Sequence, residues 1–180
     1  MKNLFYGVTY SSEEFEDFDL GVAFSPKEWN DRIIKGKRGQ SFPVMTFPTL
    51  LLQDGGFADY QASNIGTLCS LKLKTVIEQY KSSNDSVEWF DVDIHSEEYG
   101  ARRYYFMHFP SVFDVLDEEN TVFTGSKRPV IPCFSYRLVK DHHIFAIPGS
   151  FTGFIVSNYM REKILEADCF GLAFYSIETV

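Results

Sequence analysis

Val87-Glu88-Trp89-Phe90-Asp91-Val92-Asp93-Ile94 is the stretch that decides the fold. Phe90, Val92 and Ile94 alternate with Asp91 and Asp93, a period of two that puts the apolar side chains on one face and the carboxylates on the other. Arg102 to Phe109 (Arg-Arg-Tyr-Tyr-Phe-Met-His-Phe) is a second strand candidate. The short polar run Glu97 to Gly100 lies between them, so the two are expected to form a hairpin.

Working outward, Ile65, Cys69, Leu73, Val76, Ile77 and Tyr80 recur at helical spacing, and Lys72, Lys74 and Lys81 fall off that stripe. This predicts a helix over 64–80 with Asn64 as N-cap, although Gly66 weakens its first turn. Near the end of the chain Ser157 is placed to cap another helix, over 158–168. Met160, Ile164 and Ala167 form its inner stripe, and Gly171 stands after it. Strands are expected at 143–147, 152–156 and 172–177, with 129–139 extended and 140–142 and 148–150 as turns.

The first 56 residues are less regular. Asn3 to Thr9 is a strand candidate. Ser25-Pro26-Lys27-Glu28 has the form of a helix start, with Ser25 as cap and Pro26 in the first turn. Phe42 to Leu52 is interrupted by Pro43 and Pro48, which limits it to an edge strand or extended segment. The expected architecture is therefore a single α+β domain over 1–180, a mainly antiparallel sheet built from hairpins with two or three helices packed on it. Its regular part is 57–180.

Composition narrows the function classes. Thirty of 180 residues are aromatic and 44% are apolar, far too many for a disordered chain. The formal charge is −8, without the basic footprint of a nucleic-acid binder. No apolar run reaches the 20 or so residues needed to cross a bilayer. Cys69, Cys133 and Cys169 are an odd, scattered set, which fits small core residues in a reducing, cytoplasmic setting.

No local signature of chemistry stands out. His95, His108, His142 and His143 lack zinc-ligand spacing, so neither a metal nor another cofactor is expected. There is no Gly-x-Ser-x-Gly elbow, and Gly36-Lys37-Arg38-Gly39 does not match a phosphate-binding loop. A dispersed hydrolase site remains an alternative, with Cys133 beside His108 or His143, or with a carboxylate pair such as Asp114/Asp117. Asp91/Asp93 reads as a solvated face. The acids gather in two places, 13–19 and 114–119, and acid clusters steer basic partners.

Several segments together carry a family resemblance. They are Ser70-Leu-Lys-Leu-Lys-Thr-Val-Ile-Glu78, the two strands above, Asp114-Val115-Leu116-Asp117, His143-Ile-Phe-Ala-Ile147, Ile155-Val-Ser-Asn-Tyr-Met160 and Phe170-Gly-Leu-Ala-Phe174. In this order, over roughly 57–178, the chain resembles a bacterial family of formerly uncharacterised proteins grouped with the immunity proteins of polymorphic toxin systems. The resemblance implies a non-catalytic cytoplasmic protein that binds and neutralises a cognate toxin domain. Combined with the charge clusters, it makes Glu13, Glu14, Glu16, Asp17 and Asp19 one candidate contact patch, and Asp117, Glu118 and Glu119 a second. Tyr104 and Tyr105 are further candidates. A homo-oligomeric binding module, joined through exposed aromatics, is the remaining alternative.

Overall fold

The structure, a computed structural model, describes residues 4–10, 20–25, 38–42, 46–125, 129–148 and 153–180. The acidic segment 11–19 and the helix start expected after Ser25 lie outside the described residues.

The expected hairpin forms as β6 (Glu88–Ser96) and β7 (Gly100–His108), paired antiparallel from Glu88 opposite His108 to Ser96 opposite Gly100. Val92 and Ile94 are buried while Asp91 and Asp93 face solvent, as the alternation requires. The hairpin does not end in an open sheet. β2 (Val22–Phe24), β3 (Leu50–Gln53), β4 (Tyr60–Ser63) and β5 (Leu68–Cys69) join it in a closed barrel, ordered β2-β3-β6-β7-β5-β4. Two contacts that close it, β2 with β4 and β3 with β6, are parallel. Closure removes exposed sheet edges. Its interior is aromatic: Phe42 stacks on Phe47 at 5.9 Å and meets Phe106 at 5.5 Å.

A second, open sheet runs β10 (Cys133–Phe134), β13 (Leu172–Thr179), β1 (Phe5–Tyr10), β12 (Phe154–Ser157), β11 (Ile144–Phe145). It is antiparallel except where β10 meets β13. Alternate residues divide between two cores. Val8, Phe154, Val156 and Leu172 pack towards the helices, whereas Phe5, Ile155 and Ile177 pack on the other side with Val115, Phe134 and Val139. Both faces are buried, which accounts for the near-continuous apolar run Phe154-Ile155-Val156.

Three helices occur among the described residues: α1 (Leu71–Tyr80), α2 (Tyr136–Val139) and α3 (Asn158–Glu166). Ser157 caps α3 as expected, its hydroxyl accepting from Met160 N at 3.2 Å. The N-cap expected at Asn64 is a misreading. Asn64 accepts from Ser25 N through its side chain, Gly66 takes a φ of +130°, and Leu68–Cys69 is a strand. Ser70 is the cap, accepting from Leu73 N. Thus Ile65 belongs to the barrel core, and its helical spacing with Leu73 is coincidental. α1 and α3 pack on each other, and Leu73, Ile77, Met160 and Ile164 join barrel and sheet in one core. The segment 136–139, expected to be extended, is helical. α+β is correct, but the sheet is a barrel plus an open sheet rather than one hairpin-built layer.

Candidate partner-binding surface

The second acidic patch sits where the chain leaves the open sheet. Leu116 bridges antiparallel to Phe134, Asp117 N donates to Cys133 O at 2.8 Å, and Ser135 N donates to Val115 O at 2.9 Å. The chain then turns over Asp117–Asn120. The Asp117 carboxylate accepts from Asn120 N at 3.0 Å and from its side-chain amide at 2.8 Å, forming an Asx-type turn. Asp117 is therefore half-buried and holds the turn, whereas Glu118 and Glu119 are exposed. Asp114, just upstream, is exposed as well.

From this turn rises a two-stranded ribbon, β8 (Val122–Phe123) paired with β9 (Pro129–Ile131). Adjacent residues of a regular strand, such as Val130 and Ile131, point to opposite faces, and a bulge interrupts the alternation between Val122 and Phe123. Yet Val122, Phe123, Val130 and Ile131 retain 50, 37, 58 and 62% of their exposure. Val122, Val130 and Ile131 thus stay at least half exposed, and Phe123 is partly covered. Residues 126–128, which join its strands, lie outside the described residues. Two short apolar pairs flanking Gly125 are the mark these residues leave in the sequence.

The other predicted contact residues fall elsewhere. Glu13, Glu14, Glu16, Asp17 and Asp19 lie outside the described residues. Tyr104, expected at a contact surface, is instead 3% exposed inside the barrel, and its hydroxyl donates to Ala58 O at 2.6 Å. Even positions of β7 face the barrel core, which the alternation dictates. Burial pushes its phenol well above the usual range. Tyr105 is half-buried on the barrel's outer side, with Lys74 Nζ 3.7 Å from its ring centroid. It stands on the barrel, whereas the acidic turn leaves the open sheet.

The dispersed catalytic candidates hold structural contacts. Cys69 and Cys133 are buried, and Cys133 N donates to Thr121 Oγ1 at 3.0 Å. Burial raises the Cys69 thiol well above its ordinary range and pushes Cys169 up to about 12, with Asp59 adding to the latter, so neither thiol supplies a thiolate near neutral pH. His108 is buried and within 2.8 Å of Gln40 O. Asp85 and Ser157 each meet a histidine, but not the same one: His142 lies 2.9 Å from Asp85, and His143 lies 3.0 Å from Ser157 Oγ. The relay of a Ser-His-Asp triad needs one imidazole between the two. Asp91 and Asp93 are both held by Arg103, at 3.1 and 2.8 Å, and its hydrogen bond keeps the Asp93 carboxyl below the usual range. A cleft of about 480 Å³ beside the hairpin tip is lined by Asp54, His95, Glu97 and Glu98. Among the described residues, no group of three His, Cys, Asp or Glu side chains is placed to hold a metal ion.

No curated protein matches the chain. The immunity protein family Imm11 does match, over residues 38–179. That span contains the barrel hairpin, both serine-capped helices and the acidic turn with its ribbon. It also reaches further towards the N-terminus than the resemblance over 57–178. By this match, which covers most of its length, the chain belongs to the Imm11 immunity protein family.

Proposed function

We propose that this protein neutralises a cognate bacterial toxin by binding it directly in the cytoplasm, without catalysing a reaction. Family membership carries this reading. Three properties of the chain support it. The net charge of −8 suits a partner with a basic working surface, such as a toxin that attacks nucleic acid. The catalytic residue types are spent on structure: Ser157 caps a helix, and the Asp85 carboxylate accepts backbone bonds from Ser82, His143 and Ile144. The three cysteines are all free thiols, which fits a reducing compartment.

The reading predicts that cells expressing the toxin domain encoded beside this gene survive when this protein is co-expressed. Growth curves with and without it test this. Equal killing in both cultures overturns the proposal.

A further inference from the structure

The ribbon β8–β9 is an anomaly that the fold does not explain. Two-stranded ribbons are marginal in water unless a face is covered, and here apolar side chains project from both faces. Among the described residues, none of the ribbon's four exposed side chains belongs to the three cores. Its base, by contrast, is rigid. Buried Thr121 precedes β8 and buried Cys133 follows β9, and the two are joined by hydrogen bonds in both directions. An apolar projection fixed at its base loses little freedom on binding.

Resting on the toxin-binding reading, we propose that this ribbon enters the partner, with Glu118 and Glu119 beside it meeting the partner's lysines and arginines. The occupant is thus a basic protein surface containing an apolar slot. Charge selects it over a second copy of this chain. From 114 to 131 the sequence carries four carboxylates against the two cations Lys127 and Arg128, and the whole chain is at −8, so two copies brought together here repel. Phe123 supplies the aromatic anchor typical of an interface centre, and the exposed glutamates supply its polar rim.

The test is titration of the purified toxin domain with four forms of the full chain, at low and at physiological salt. The forms are wild type, Val130→Ser with Ile131→Ser, Glu118→Lys with Glu119→Lys, and Leu51→Ser as an exposed control on the barrel. The ribbon variant should weaken binding by about tenfold or more. The charge reversal should weaken it and reduce its salt dependence. Leu51→Ser should remain within about twofold of wild type. Unfolding midpoints establish that each variant is folded, and if the ribbon variant is not, the charge reversal decides. Ribbon and charge variants that bind like wild type overturn the ribbon assignment but leave toxin neutralisation standing. A wild type that does not bind overturns both. A wild-type dimer that the ribbon variant breaks makes a second copy the occupant and overturns the choice of a basic partner.

Discussion

Thr121 and Cys133 close a small ring at the foot of the ribbon. Thr121 Oγ1 donates to Cys133 O at 3.1 Å and accepts from Cys133 N at 3.0 Å. One hydroxyl thus bonds both backbone groups of buried Cys133, whose carbonyl also accepts from Asp117 N at 2.8 Å. Thr121→Val preserves the shape but leaves both groups without that partner. It should cost about 1–3 kcal/mol, read from denaturant unfolding. It should also loosen the ribbon, seen as faster amide exchange at 121–123 and 129–131 than in the β6–β7 hairpin. An unchanged midpoint with unchanged exchange contradicts this role.

Asp85 ties the loop after α1 to the start of β11. Its carboxylate accepts from Ser82 N at 2.8 Å, His143 N at 3.0 Å and Ile144 N at 3.1 Å, with His142 at 2.9 Å. Asp85→Ala abandons one buried and two partly buried backbone donors at once. A loss of about 3–5 kcal/mol is expected in chemical denaturation, comparable to breaking a buried ion pair. A loss below about 1 kcal/mol would mean that water replaces the carboxylate at little cost.

Two glycines give opposite expectations. Gly171 has a φ of +84°, and a Cβ there would lie 2.7 Å from Ala58 Cβ and 2.8 Å from Tyr60 O. Gly171→Ala should therefore cost about 2 kcal/mol or more, from a strained backbone pressed against backbone. At Gly7 the Cβ would meet only the far end of the Tyr175 ring, which is half exposed and can swing away. Gly7→Ala should cost about 1 kcal/mol or less. Thermal unfolding of the two variants side by side checks the order, and the reverse order contradicts it.

The thiols should be inert in the native protein. An ordinary thiol, with a pKa of about 8.5, is half ionised at that pH. Cys169 is pushed up to about 12 by burial, Cys69 is raised by burial too, and Cys133 is enclosed. Iodoacetamide at mildly alkaline pH should label the native chain slowly and all three cysteines rapidly after unfolding, as followed by intact mass. Rapid native labelling of Cys169 or Cys133 would instead reopen a thiol chemistry.

Much of the fold was legible wherever periodicity and local signals agreed. Phe90-Asp91-Val92-Asp93-Ile94 alternates strictly, so its strand and inward face follow from the pleat alone. Ser157 with Met160 and Ile164 pairs a cap with a stripe, and α3 forms as read. The barrel was not legible. Its parallel contacts, such as Leu50 with Ile94, join segments 40 or more residues apart and leave no local mark. For the same reason Ile65 and Cys69 passed for helical positions when they belong to barrel walls. At the surface the acidic cluster is legible, but its composition does not show that the Asp117 carboxylate closes a turn through Asn120. The ribbon was missed because two apolar residues per strand are too few for any period to show.

The central claim is that this chain silences a toxin by occupying it. The most direct measurement mixes the purified cognate toxin domain with increasing amounts of this protein, following both toxin activity and the complex on a sizing column. Activity should fall to background at a one-to-one ratio, where the two proteins co-elute. Full toxin activity with this protein in excess, and separate elution of the two, would contradict it.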